Sequence, residues 1–196
     1  MKLILASGSP RRAEILRNAG ISFETQIILL DESILPGELP GDYVRRLALE
    51  KARAAADARP NSGEAIFIGA DTTVITGDQI LGKPESEEDA RRMLRLLSGT
   101  THEVHTGLAL LRVPDRMERV AEEITRVFFA ALADAEIDAY IATGEPFDKA
   151  GGYGIQGIAG RYVTRIEGCY FNGMGLPLAR LWSILKEFGW GNSAAE

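Results

Sequence analysis

Lys2-Leu3-Ile4-Leu5-Ala6-Ser7-Gly8-Ser9-Pro10-Arg11-Arg12 decides the fold class of this chain. Lys2 to Ala6 reads as a buried strand. Ser9 is suited to cap a helix, Pro10 to fill its first position, and Gly20 to end it. A strand that feeds a helix through a short Gly/Ser loop is the opening unit of an α/β domain.

Working outward, the alternation continues. A strand is expected around Ile21 to Ile28, then a helix from about Asp42 to Ala58 with Tyr43, Leu47, Ala48 and Ala52 on one face. Ala65 to Ala70 is an apolar strand that breaks at Asp71. Thr73 to Thr76 and Gln79 to Leu81 flank Gly77-Asp78, a two-residue hairpin signal. Ser86 caps a further helix, with Glu87, Glu88 and Asp89 at the positive end of its dipole. Val104 to Val113 and Glu118 to Ala131 read as long strands, Asp134 to Gly144 as a helix, and Pro177 to Gly189 as the last helix. Parallel connections early and long antiparallel strands late predict a mixed sheet flanked by helices. A single domain over residues 1–191 is expected, followed by a frayed tail, Asn192 to Glu196.

Composition excludes several classes. The 196 residues, 45% of them hydrophobic, suffice for a sizeable core. No apolar run approaches the roughly 20 residues needed to span a bilayer, and the opening apolar stretch is too short for a signal peptide. One cysteine, Cys169, rules out an internal disulfide framework and a cysteine zinc cluster. A net charge of −6 argues against broad nucleic-acid binding. A soluble cytoplasmic protein with neither a nucleic acid nor a membrane as partner is the expectation.

Four segments carry chemistry. Ser7 to Arg12 offers helix-start N–H groups and two arginines to an anion, although it also reads as a capped helix with solvated arginines; it is no Walker loop, lacking the Gly-Lys-Ser/Thr ending. Gly69-Ala70-Asp71-Thr72-Thr73 places a carboxylate where open α/β sheets gather ligands, able to hold Mg²⁺ or take a proton from water; a turn aspartate is the plainer alternative. Lys51, Lys83 and Glu32, taken singly, read as solvated surface charges rather than as ligands. Gly144 to Gly157 is glycine-rich, and its Gln156 has a donor and an acceptor that match N3–H and O4 of uracil or thymine; by itself the segment reads first as a glycine-rich turn between a helix and the next strand. His102-Glu103-Val104-His105 lacks the zinc-protease spacing, and on a strand its histidines face opposite sides.

Together, Leu5 to Arg12, Gly69-Ala70-Asp71-Thr72, Gly82-Lys83-Pro84, Leu97-Ser98-Gly99 and Gly144-Glu145-Pro146 to Gln156-Gly157 resemble the Maf family of nucleoside triphosphate pyrophosphatases, first described as septum-formation inhibitors. The likeness runs from about Leu3 to Leu185. It implies a long twisted mixed sheet with helices, two lobes and a central cleft, related to the inosine triphosphate pyrophosphatase fold. It also implies hydrolysis of a nucleoside triphosphate to the monophosphate and pyrophosphate. Asp71 corresponds to the family's proton acceptor. Arg12, Thr72 and Gln156 correspond to positions that set base preference. Ser7, Ser9, Arg11, Lys51, Lys83 and Lys149 match polar positions of its site, and Glu32 its other acid, which with Asp71 would hold a divalent cation (Mg²⁺, with Mn²⁺ or Co²⁺ as alternatives).

Thr72 and Tyr153-Gly154-Ile155-Gln156-Gly157 resemble the dTTP/UTP branch rather than the sister branch acting on 7-methyl-GTP. Relatives are often dimers, so a homodimer is compatible. A pyrophosphatase for modified nucleotides and a non-catalytic nucleotide-binding regulator of division are the competing readings. Departures from the family pattern, at Thr100, His105 and Asn172-Gly173-Met174, fall outside the assigned residues.

Overall fold

The computed structural model describes residues 1–191, so the expected frayed tail lies outside the described residues. Chain order is β1 (Lys2–Leu5), α1 (Pro10–Asn18), β2 (Glu24–Thr25), α2 (Pro40–Asp57), β3 (Ala65–Thr76), β4 (Gln79–Leu81), α3 (Glu87–Leu97), β5 (Thr101–Val113), β6 (Met117–Phe129), α4 (Asp134–Ile141), β7 (Val163–Glu167), α5 (Tyr170–Gly173) and α6 (Leu178–Glu187), with short 3₁₀ turns between residues 145 and 162. The strands form a mixed seven-stranded sheet in the order β2-β1-β3-β5-β6-β7, with β4 paired to β3. The α/β class with a mixed sheet and flanking helices is therefore as the periodicity predicts.

Two compact units share this chain: Met1–Asp71 with Thr106–Glu123 and Gly175–Glu196, and Thr72–His105 with Ile124–Met174. In the first, β1 runs parallel to both β2 and β3. Its core joins Ile4, Ala6, Phe67, Ala109 and Leu111 to the alanine face of α2, at Ala48, Ala52, Ala55 and Ala56. Small residues on that face let the helix come down almost onto the strands. A β-carbon on Gly69 would lie 2.0 Å from the carbonyl oxygen of Ala48, and one on Gly107 equally close to that of Val44. No other residue fits there.

In the second unit, β3 turns through Gly77-Asp78 into antiparallel β4 with Thr76 opposite Gln79, the predicted two-residue hairpin; Gly77 takes the positive φ of 56°. α3 starts where Ser86 Oγ accepts from Asp89 N–H, the predicted cap. The core here gathers Met93, Leu94, Leu97, Val127, Phe129, Tyr140, Tyr153 and Tyr162. Burial drives the His102 imidazole down to about 4, so it is neutral where its Nε2 meets Tyr153 Oη at 2.6 Å.

Three expectations are corrected. The strand after Gly20 is only Glu24–Thr25, because its partner β1 ends at Leu5 and the chain then leaves the sheet, exposing Ile27 and Leu29. Asp71 does not end a strand: β3 continues without interruption to Thr76, since neighbouring strands keep pairing past the polar Asp-Thr-Thr run. Ser9 occupies the cap position of α1, but its side chain makes no cap bond; its N–H donates to Ser7 Oγ at 3.2 Å instead.

Candidate active site

Within the first unit, four elements converge on Asp71. β3 presents its carboxylate from a strand that is buried on both sides. α2, held close by Gly69, brings Lys51 Nζ to 2.6 Å from Asp71 Oδ1. The same ammonium lies 2.6 Å from Oε1 of Glu32, which comes from the irregular segment between β2 and α2. Lys51 is thus a buried cation between two carboxylates, whereas its place late on a charged helix, taken by itself, reads as a solvated charge.

Burial pushes the Asp71 carboxyl above its ordinary range, against the pull of Lys51 and Arg12. A carboxylate so displaced is a stronger base than one in water. Arg12, buried at 9% exposure, donates Nε to Gly175 C=O at 2.7 Å, and one terminal nitrogen to Ser7 Oγ at 3.0 Å and Ala70 C=O at 2.8 Å. It therefore ties the Ser7 loop to the strand position next to Asp71. Burial lowers its own pKa, partly offset by the Asp71 charge. Arg11 and Ser9 stand half-buried in the first turn of α1, beside the Ser7 loop.

The segment carrying Glu32 is fixed by α2 as well. Tyr43 Oη donates to Glu32 C=O at 3.0 Å, and Arg46 donates to Ser33 C=O at 3.0 Å while pairing with both oxygens of Glu38. Burial, reinforced by the Asp71 and Glu32 charges, raises the Tyr43 phenol to about 12, which keeps it a donor. Sequence reasoning placed Tyr43 on an apolar face and missed this role; a Tyr in a stripe otherwise of Leu and Ala was the available signal.

For a divalent cation, the donor set is two carboxylates around one ammonium. Among the described residues no cluster of three or more His, Cys, Asp or Glu is arranged to hold an ion. Mg²⁺ commonly uses one or two carboxylates, waters and substrate phosphate oxygens, so hard oxygens of Asp71 and Glu32 fit a cation that arrives with a nucleotide.

The second unit holds the remaining predicted residues. Thr72 follows Asp71 on β3 and, by strand alternation, faces the other way. Lys83 is exposed, next to Gly82, whose C=O accepts from Gly151 N–H at 2.9 Å. Lys149 and exposed Gln156 meet over Gly154: a β-carbon there would lie 2.8 Å from Lys149 Cε and 3.3 Å from Gln156 Oε1. Lys149 Nζ is engaged by Glu145 C=O at 2.7 Å and Asp148 at 2.6 Å. Glu145, to which the sequence motifs assign no role, accepts from Tyr140 Oη and Ile158 N–H through its carboxylate.

The family model described as Maf-like protein matches residues 2–188. A dTTP/UTP pyrophosphatase of Hahella chejuensis is 49% identical over 96% of this chain and 92% of its own. Those of Koribacter versatilis and a Geobacillus species are each 50% identical over 96% of this chain, covering 95% and 99% of theirs. Among solved structures, a nucleoside-triphosphatase / dITP/XTP pyrophosphatase from Mycobacterium abscessus covers 96% of this chain and 98% of its own at 17% identity and a TM-score of 0.43. The Staphylococcus aureus Ham1 protein covers 98% and 100% at 14% identity, with a TM-score of 0.49.

Proposed function

Because the chain belongs to the Maf-like protein family, we propose that it is a nucleoside triphosphate pyrophosphatase acting on dTTP and UTP, releasing the monophosphate and pyrophosphate. The observation that carries this reading is the buried Lys51 held between Asp71 and Glu32. A carboxylate raised by burial is a proton acceptor, and a neighbouring ammonium can turn to an arriving phosphate.

In the reaction, water attacks the α-phosphorus and the bond to the α–β bridging oxygen breaks, so pyrophosphate leaves with that oxygen. Asp71 orients the water and accepts its proton. Arg11, Lys51 and the helix start after Ser9 gather the phosphates on a chain whose net charge is −6. Ser7 and Arg12 hold the loop that presents those groups, while Lys83 and Lys149 add positive charge for the nucleotide. A divalent cation carried by Asp71 and Glu32 would neutralise phosphate charge and make bound water more acidic.

Base choice falls to Gln156, with Thr72 beside the acid. Its carboxamide pairs with N3–H and O4 of uracil or thymine, whereas cytosine presents a donor amine in place of O4. Such a mismatch costs up to about 10⁴–10⁵ in a built hydrogen-bonding site, while the thymine methyl is worth only about 1–3 kcal/mol. Strong rejection of CTP and weak discrimination between dTTP and UTP follow. The protein is assigned to the cytoplasm, as one domain over residues 1–191, with free nucleotide rather than nucleic acid as its partner; a homodimer is compatible with this reading.

The test is pyrophosphate release from a panel of nucleoside triphosphates with Mg²⁺, wild type beside Asp71→Asn. Turnover of dTTP and UTP that falls about 10²–10⁴-fold in the variant is expected. A panel without turnover, despite nucleotide-dependent thermal stabilisation, would establish the binding-only regulator instead. Preference for 7-methyl-GTP would move the protein to the sister branch.

A further inference from the structure

Gln156 does not hang on an unsupported loop. The turn Gly154-Ile155-Gln156-Gly157 is closed by Gly157 N–H donating to Gly154 C=O at 3.0 Å, and both legs of the turn run to one residue, Glu145. On the leading leg, Lys149 Nζ donates to Glu145 C=O at 2.7 Å, and its stem passes across Gly154 so closely that a β-carbon there would stand 2.9 Å from Lys149 Cδ. On the trailing leg, Ile158 N–H donates to Glu145 Oε2 at 3.0 Å. Between them, a β-carbon on Gly157 would fall 2.2 Å from Glu145 Oε1, so the carboxylate rests directly on the turn's last residue.

The carboxylate is itself referenced to the core. Tyr140 Oη donates to Glu145 Oε1 at 3.0 Å, and the Tyr140 ring is fully buried with Val127, Phe129 and Tyr162. Burial and the adjacent Glu145 charge raise the phenol's pKa, which preserves its donor role. Every member of this clamp belongs to the second unit.

A carboxamide has nearly the same shape at both ends and opposite polarity, so reading a pyrimidine edge requires that its orientation be held. We propose that Glu145 is a positioning residue for base selection: it anchors both legs of the Gly154–Gly157 turn and so holds the Gln156 carboxamide in the one orientation that a uracil-type edge accepts. The inference deepens the dTTP/UTP reading and rests on it.

The experiment measures kcat/KM for UTP and CTP in the wild type, Glu145→Ala, Gln156→Ala and the double variant. Glu145→Ala is expected to lower the UTP-over-CTP ratio at least about tenfold, mostly through KM for UTP, because binding the right edge is what loosens. The double variant should discriminate no worse than Gln156→Ala alone, since two residues acting through one contact are not additive. A ratio unchanged in Glu145→Ala while Gln156→Ala collapses it overturns the role of Glu145 and leaves the pairing model standing. Equal proportional loss on both nucleotides also overturns it, that being the mark of a merely structural part. An unchanged ratio in Gln156→Ala, or no UTP turnover in the wild type, overturns the base-reading model and this proposal together. If Glu145→Ala fails to fold, Tyr140→Phe deletes one donor to the same carboxylate and keeps the ring; a ratio lowered about threefold is expected, and an unaffected one overturns the proposal.

Discussion

Asp71 and Lys51 are 2.6 Å apart, yet burial still leaves the carboxyl above its ordinary range, so desolvation outweighs the attraction of its neighbours. The consequence for stability has a definite sign. Between the unfolded value of roughly 3.9 and the raised folded value, the native state holds more protons than the unfolded chain. This residue's contribution to stability is therefore full below that window and is lost as pH rises through it. Asp71→Asn removes the effect: its melting temperature should depend less on pH across the window. Lys51→Met acts in the other direction. With the ammonium gone, the Asp71 pKa rises further, so the acid limb of the kcat/KM profile should move to higher pH. The measurement is the pH–rate profile for UTP beside that of the wild type, and an unmoved limb would remove Asp71 from the rate. Asp71 was legible from its sequence context, whereas Lys51 was not separable from Arg45 and Arg46. A helical wheel shows that a lysine lies next to an alanine face but not that a glycine opposite lets the face close on a strand.

α2 is the element on which the first unit depends. It contributes the alanine half of a core, brings in Lys51, and through Tyr43 and Arg46 fixes the segment carrying Glu32. Its approach is set by Gly69 and Gly107, where a β-carbon would fall 2.0 Å from helix carbonyl oxygens. Those neighbours are backbone and cannot swing aside, so overpacking should cost at least about 3 kcal/mol, the upper end of the usual range. Gly69→Ala and Gly107→Ala are each expected to lower the unfolding free energy read from urea denaturation by that amount and to depress pyrophosphate release by shifting Lys51. Gly82→Ala, with open space around it and an ordinary backbone angle, is the control and should stay within about 0.5 kcal/mol of wild type. Helices were the most readable elements because a cap and a 3.6-residue period are local properties. The extent of β2 and the continuity of β3 through Asp71 were not, since a strand's length depends on where its partner ends.

For the molecule as a whole, three strands are the decisive feature: β3, β5 and β6 each contribute residues to both compact units. Each unit is also assembled from separated pieces of chain, and neither can be cut out as one segment. Hydrogen-bonded strands that pass through both should unfold together, so calorimetry is expected to give a single transition with equal calorimetric and van't Hoff enthalpies. Two resolved transitions would replace the single domain assigned to residues 1–191 with two.

No helix among the described residues is long and apolar enough to cross a membrane. The sequence by itself determined the α/β class, the hairpin at Gly77-Asp78, the cap at Ser86 and the family, because these rest on local periodicity, capping chemistry and motifs written in consecutive residues. Only the tertiary structure decided that Lys51 is buried between Asp71 and Glu32, that Arg12 donates to Gly175, Ala70 and Ser7, and that the Glu145 carboxylate accepts from Tyr140 and Ile158. Such contacts join residues remote in the chain or held together by tertiary packing. The energy of burying a charge is fixed by what folds around it, not by what precedes it in sequence.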